Sequence, residues 1–231
     1  MIIPGVAGRI AKQADEASKL RFENAMHLLG SVDQREALDT PMIRAAAVRG
    51  WCLRDNDTCC AISGNIDWLQ NEFADVQLRL GPAQALLAAY RSLGLDLLRV
   101  VGGRFSLFLW DGVDRSGLIA SDRFGQMPVY WAEATDDALL FGPTATVVSR
   151  LLEEHPRLSE QAIYNYLYFH MVPGPATVFE GVNKLLAGHA LVAVDGQWRV
   201  RRYWQPNFRE NADASMHEAS EELMGLLSSS V

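Results

Sequence analysis

The sequence predicts a layered α+β domain, and three observations carry that prediction. Residues 105–110, Phe-Ser-Leu-Phe-Leu-Trp, form a largely apolar run of strand length, as in a strand buried on both faces. Asp195-Gly196 joins two strand-like segments, 190–194 and 198–203, and Asp-Gly between such segments is a strong hairpin signal. Leu86, Leu87, Tyr90 and Leu93 recur at helical spacing and form an amphipathic stripe. Sheets that alternate with such helices bury one face of each helix on a sheet, which gives stacked layers.

The elements follow in order. Residues 3–10 contain Gly5, Ala7 and Gly8 and read as a buried strand closely approached by other backbone. Residues 11–28 read as a polar helix, and residues 29–58 are the least legible. Within them 44–51 reads as strand and Arg54-Asp-Asn-Asp57 as a turn. A short strand, 58–62, precedes a loop at Ser63-Gly64-Asn65. Residues 66–76 read as a helix, with Leu69 and Phe73 four apart. A second helix follows Gly81-Pro82 and stops at Gly94, where a left-handed glycine ends many helices. The strand at 105–110 turns at Asp111-Gly112 and returns over 118–121, and 127–132 and 138–142 extend that meander. Helices are expected at 144–153 and 159–170, the second capped by Ser159. After the 190–203 hairpin, 205–214 is polar and reads as a linker. Ser215-x-x-Glu218 is a capping box that starts a helix carrying Ala219, Leu223, Leu226 and Leu227 on one side.

Composition limits the function classes. At 231 residues and 49% hydrophobic, the chain can bury one sizeable core. A net charge of −7 argues against a nucleic-acid footprint, which needs a basic face. Arg199, Arg201 and Arg202 read as the exposed face of one strand. No apolar run reaches transmembrane length, so no membrane partner is expected. Cys52, Cys59 and Cys60 read as reduced thiols of a cytoplasmic protein. Cys59 and Cys60, adjacent in a strand, point to opposite faces, so at least one is a core side chain. His27, His155, His170, His189 and His217 show no metal-ligand spacing, and no metal site is expected.

The order of the motifs resembles the glutaminase domain of the asparagine synthetase family. They run Pro4-Gly5-Val6-Ala7-Gly8, Gly103-Arg-Phe-Ser-Leu-Phe-Leu-Trp-Asp111 and Ala120-Ser-Asp-Arg-Phe-Gly-Gln-Met-Pro-Val-Tyr-Trp131. They continue with Val172-Pro-Gly-Pro175, Thr177-x-Phe-Glu-Gly-Val182, Leu186-Ala-Gly-His189 and Arg202-Tyr-Trp204. The resemblance spans residues 4–204 and is weakest from 11 to 55. It implies an N-terminal-nucleophile hydrolase fold, a four-layer αββα sandwich of two antiparallel sheets between helices. It also implies that 122–128 is a conformational element, with Asp122 and Arg123 able to form a buried ion pair.

Glutaminase chemistry in that family uses a cysteine at the very start of the mature chain, activated by its own α-amine. Pro4 occupies the aligned position, and residues 1–10 contain no Ser, Thr or Cys. Met1 is not expected to be trimmed before Ile2. The family's oxyanion loop, Asn-Gly-Glu, is replaced by Ser63-Gly64-Asn65, where the Gly64 amide remains but the serine is shorter than asparagine. A carboxylate that would grip the substrate ammonium is replaced by Pro82. The arginine that would hold the substrate carboxylate is Arg44, Arg49 or Arg54. The vestigial site is therefore Arg49, Ser63, Gly64, Asn65 and Pro82, with no catalytic residue.

Three lost functions on a retained scaffold lead to the expectation of a degenerate glutaminase-like domain over 1–204. A linker follows at 205–214, and 215–231 is the first helix of a truncated synthetase-like domain. No cofactor is expected in this chain, because the Ser-Gly-Gly-x-Asp-Ser pyrophosphate loop is absent; ATP and Mg belong to the missing domain. The chain stops within that helix, which favours a piece of a longer protein over a separate subunit or a free-standing domain. The expected partner is a synthetase-like domain or chain, with a homodimer as a further possibility. Relatives that have lost the cysteine include β-lactam synthetases and lasso-peptide cyclases. Two alternatives stand beside this reading. One is a working amidohydrolase using Cys59 or Cys60. The other is an interaction module that presents Leu223, Leu226 and Leu227.

Overall fold

Two-residue alternation in the long strands sorts their side chains into separate apolar layers. The computed structural model describes residues 3–11, 15–30, 35–40, 42–208 and 215–229. The first sheet is built from β1 (Gly5–Ile10), β2 (Arg35–Asp39), β3 (Ile43–Val48), β8 (Tyr130–Glu133), β9 (Leu139–Gly142) and β10 (Asn183–Lys184). Its order is β10-β8-β9-β1-β3-β2. The second comprises β4 (Gly50–Asp55), β5 (Thr58–Trp68), β6 (Val101–Asp111), β7 (Ser116–Ser121), β11 (His189–Val194) and β12 (Gln197–Arg202), in the order β12-β11-β7-β6-β5-β4. The pairings that define both sheets are antiparallel.

Odd and even positions separate cleanly. Val6, Ala45, Cys59, Phe108, Ile119 and Leu191 pack between the sheets. Their neighbours Ala7 and Ala46 face outward onto α1 (Glu16–His27) and α5 (Ala145–Leu151). Cys60, Leu107, Leu109, Ala120 and Ala190 face the opposite way, onto α2 (Asn71–Leu80), α3 (Pro82–Leu93) and α4 (Leu97–Val100). The result is an α-β-β-α stack. Phe108 and Phe141 meet across the middle layer at 5.2 Å between ring centroids. Such a pair adds about 0.5–1.5 kcal/mol beyond the burial of its area.

Several elements differ from the sequence reading. The strand expected over 44–51 is broken at Arg49, which adopts φ 52°. There the chain leaves β3 in the first sheet and enters β4 in the second. Ser63-Gly64-Asn65 is not a loop: β5 runs through it to Trp68, in unbroken register with β6. Ile66–Trp68 is therefore strand, and the helix begins at Asn71. The 127–142 segment does not extend the β6–β7 meander; β8 and β9 join the first sheet beside β1. Strands β2 and β10 and the short α4 were not foreseen. The polar helix is shorter than 11–28, and residues 12–14 lie outside the described residues.

Helix α6 (Glu160–Phe169) is capped by Ser159, whose hydroxyl accepts the Ala162 amide at 3.2 Å. It buries only Ala162 and leaves Tyr164, Leu167 and Tyr168 exposed. Helix α7 (Met216–Ser229) opens on the expected capping box, with Ser215 and Glu218 bonding each other's backbone amides at 2.9 and 3.3 Å. All of its described residues are exposed. Residues 209–214 of the expected linker lie outside the described residues.

Candidate functional site

The start of β1 brings Pro4 and Gly5 to one end of the gap between the sheets. Gly5 pairs with Val48 of β3. Glycine is required there, because a Cβ would lie 2.6 Å from Cβ of Pro143. Across the gap, Ser63 of β5 and Ser106 of β6 are register partners, and Ser121 of β7 completes the row. All three are fully buried. Their alternation with Ala61, Phe108 and Ile119 aims them into the inter-sheet layer.

Two of these hydroxyls tie the sheets together. Ser63 Oγ donates to the Val48 carbonyl at 2.7 Å, with the Arg49 carbonyl at 3.5 Å. Ser106 Oγ accepts the Val6 amide at 3.3 Å. Both act on backbone, and among the described residues neither has a histidine or carboxylate partner that would make it a nucleophile. Ser121 Oγ has no partner among the described residues. Ser106 and Ser121 were not singled out in the sequence. The available signal is a hydroxyl standing on the inward face of an apolar strand.

Strand β4 pairs with β5 only as far as Gly50 opposite Ser63. A Cβ on Gly50 would meet the Ile62 carbonyl at 1.9 Å, so Ile62 turns its backbone groups to the β4 side. The two-residue repeat puts the Gly64 amide on that side too, just past the end of β4. Gly64 adopts φ 100°, and a Cβ there would lie 2.2 Å from the Arg104 carbonyl. This corner therefore needs glycine twice over, for its torsion and for its close approach.

Of the expected site residues, the structure gathers Pro4, Arg49, Ser63 and Gly64. Arg49 is exposed at the corner between the sheets, and Asn65 is exposed beyond Gly64. Pro82 is elsewhere. It opens α3 on the outer face of the second sheet, where the Ala83 carbonyl accepts Cys60 Sγ–H at 3.7 Å. Cys60 faces the helices and Ser63 faces the other sheet. Arg44 is four residues along β3 from the corner, about 13 Å at strand rise. Its guanidinium bonds Asp39 at 3.1 Å and Ser18 at 2.9 Å. Arg54 donates to the Asn56 carbonyl in the β4–β5 turn at 3.2 Å.

Beside the serine row, Asp122 is fully buried and accepts three amides. Oδ1 takes Phe124 and Gln126 at 3.0 and 3.1 Å, and Oδ2 takes Met127 at 3.0 Å. The expected Asp122–Arg123 ion pair does not form. Arg123 instead reaches the Arg99 and Val101 carbonyls, each at 3.4 Å. The Tyr203 hydroxyl donates to the Ser121 carbonyl at 2.7 Å, and burial raises its pKa.

All three thiols are free. Cys59 is 2% exposed between the sheets, and burial pushes its pKa up to about 12. Cys60 is wholly buried and is pushed higher still by the same cause. The thiolate is the nucleophilic form, so neither sulfur is activated at neutral pH. Among the described residues no cluster of His, Cys, Asp or Glu could hold a metal ion. No described helix is long and apolar enough to cross a membrane.

Residues 69–204, more than half the chain, match the glutamine amidotransferase domain family. A putative glutamine-hydrolysing asparagine synthetase of Mycobacterium bovis is 28% identical over 146 residues, 62% of this chain and 22% of that protein. Asparagine synthetase (glutamine-hydrolysing) 1 of Bacillus subtilis is 24% identical over 127 residues, covering 54% of this chain and 20% of its own length. This chain thus aligns with about a fifth of the length of these relatives. Among solved structures, the B. subtilis glutamine phosphoribosylpyrophosphate amidotransferase, complexed with ADP and GMP, superposes with TM-score 0.54. The identity is 10%, with 87% of this chain and 50% of that chain covered, a likeness of fold.

Proposed function

The chain belongs to the glutamine amidotransferase domain family, and from that premise we propose that it is a form that does not hydrolyse glutamine. It serves as a structural or regulatory domain of an ATP-dependent amide-forming enzyme of the asparagine synthetase, β-lactam synthetase or lasso-cyclase type. One observation carries the reading: Pro4 leads into β1 at the aligned nucleophile position, and residues 1–10 contain no Ser, Thr or Cys. The neighbouring hydroxyls support it, because Ser63 and Ser106 are spent on the backbone of the opposite sheet. Burial of Cys59 and Cys60 counts against an unconventional thiol nucleophile.

In this reading ATP and Mg belong to a synthetase-like partner, either a further domain or a separate chain. The exposed Leu223, Leu226 and Leu227 of α7 and the aromatic face of α6 are the surfaces offered to it. A homodimer is the second arrangement they would serve. The free thiols favour a cytoplasmic setting. The test is glutamate release from glutamine by the purified chain. We expect none above the rate without protein. Release that disappears on replacing Cys59 or Cys60 by alanine would overturn the reading.

A further inference from the structure

At the end of the inter-sheet layer away from Pro4, the two sheets enclose a cavity of about 280 Å³. Trp110, in its wall, stands four residues along β6 from Ser106, about 13 Å at strand rise. The floor belongs to the core: Ile10, Leu139 and Trp110 are no more than 5% exposed. The indoles of Trp110 and part-buried Trp198 stack there, 5.8 Å apart and 26° between planes. They meet over Gly117, where a Cβ would lie 2.7 Å from Trp110 and 3.1 Å from Trp198. The missing side chain at Gly117 is what lets the two rings form one aromatic surface.

Two charges of opposite sign line the same cavity from opposite sheets. Glu133 ends β8, where Trp131 packs between the sheets and Ala132 faces the helices, so alternation turns Glu133 inward. Its register partner Leu139 also faces the inter-sheet layer. Arg115 lies in the β6–β7 turn, and its carbonyl accepts the Gly196 amide at 2.8 Å. Its guanidinium is held against Gly196, where a Cβ would lie 2.7 Å from Nη2. Neither side chain has a partner among the described residues, and the two do not pair with each other. An unpaired carboxylate and an unpaired guanidinium, set apart over an aromatic floor, match a ligand that carries both opposite charges and a ring. We propose that this cavity binds an aromatic α-amino acid. The ring stacks on Trp198 and Trp110, the ammonium meets Glu133, and the carboxylate meets the Arg115 fork. The size agrees, since small-molecule pockets begin at about 300 Å³. The site shares no residue with the β1 corner, so it stands or falls independently of the proposed function.

The experiment is calorimetric titration of the whole chain with phenylalanine, phenethylamine, 3-phenylpropionate and glutamine. Phenethylamine lacks the carboxylate, 3-phenylpropionate lacks the ammonium, and glutamine lacks the ring. Phenylalanine should saturate and bind most tightly of the four. Arg115→Gln should weaken phenylalanine and 3-phenylpropionate about fivefold, the upper scale of one exposed ion pair, and leave phenethylamine unchanged. Glu133→Gln should weaken phenylalanine and phenethylamine by a similar factor and leave 3-phenylpropionate unchanged. Both residues are exposed at the rim, so thermal melts of the two variants should match the parent. The proposal is overturned if phenylalanine fails to saturate at millimolar concentration, or if glutamine binds as tightly. It is equally overturned if the variants leave phenylalanine binding unchanged, or if each weakens all the ring-bearing ligands alike.

Discussion

Asp122 and Pro4 stand at the same end of the sandwich, on either side of the Ser63–Ser106–Ser121 row, and they are equipped very differently. Asp122 uses both carboxylate oxygens to hold the turn after β7, accepting amides from Phe124, Gln126 and Met127. Pro4 supplies a ring and no functional group at the point where the resemblance places a nucleophile. The groups between them, Ser63 and Ser106, bond backbone rather than anything that could enter from outside. The polar chemistry at this end of the molecule thus closes in on the protein itself. Under the proposed function, Asp122 is needed for the shape of the domain and a cysteine at Pro4 is not.

That contrast can be broken most directly at Asp122. Asp122→Ala leaves three amides without their acceptor, one of them buried, and should cost about 3 kcal/mol or more. Chemical denaturation would read it, and a loss below about 1 kcal/mol would mean the turn is held by something else. Gly64→Ala should come next, at about 2 kcal/mol, because alanine there faces both a left-handed torsion and the Arg104 carbonyl. A midpoint unchanged from the parent would show that the β5 corner can relax.

A third measurement concerns the two thiols that a rival nucleophile would have to use. Burial raises the pKa of both Cys59 and Cys60 in the folded state. Below their unfolded values, near pH 9, both states are protonated and stability does not depend on them. Above that, the unfolded chain loses protons that the fold retains. Stability should then fall by up to about 1.4 kcal/mol per pH unit for each thiol, continuing toward pH 12 for Cys59. Urea midpoints between about pH 9 and 10, taken in a Cys52→Ala background because burial raises Cys52 as well, report mainly on these two thiols, since unfolded tyrosines lose most of their protons only above that window. A flat profile in that window would make the thiols accessible and revive them as candidates.

The smallest effect is expected at Pro4 itself. Pro4→Cys, with residues 1–3 removed, should alter stability by no more than about 1 kcal/mol. It should hydrolyse glutamine far below the ordinary enzyme scale of roughly 1 s⁻¹ or more. Glutamate release at that scale would show that the site had lost only its nucleophile.

Much of the fold was legible because burial leaves a pattern. Strand β6 is apolar on both faces, and its run announces a middle strand. The β11–β12 hairpin is marked by Asp195-Gly196, whose φ values of 53° and 77° make the tight turn the pair implies. Helix α3 shows its stripe and ends at Gly94. Strand β2 leaves no such trace, because only Leu38 of Arg-Glu-Ala-Leu-Asp is buried. The crossing at Arg49 was hidden because arginine gives no sign of a left-handed torsion. Ser63-Gly64-Asn65 has turn composition, yet its glycine serves a close approach inside a strand. At the candidate site, the serine at position 63 could be read directly. The partner of Ser63 could not, because the Val48 carbonyl belongs to the other sheet.

The chain's changes of sheet have a consequence for how the domain is made. It leaves the first sheet at Arg49, returns after the Asp122 turn, and leaves again before β11. Each sheet is therefore finished only after part of the other has been laid down. Gly8 must find Phe141, and Ala120 must find Ala190, with much of the chain lying between each pair. Such distant pairings slow folding, because loop entropy is lost before the contacts that offset it are made. The segment 69–204 starts after β5 and lacks β1 to β5 altogether. Expressed alone, it would give β6 a bare edge and leave Phe108 and Phe141 without the strands that enclose them. The cooperative unit therefore reaches back to Gly5, because β1 is the strand that joins β9 to β3 and so holds the two halves of the first sheet together.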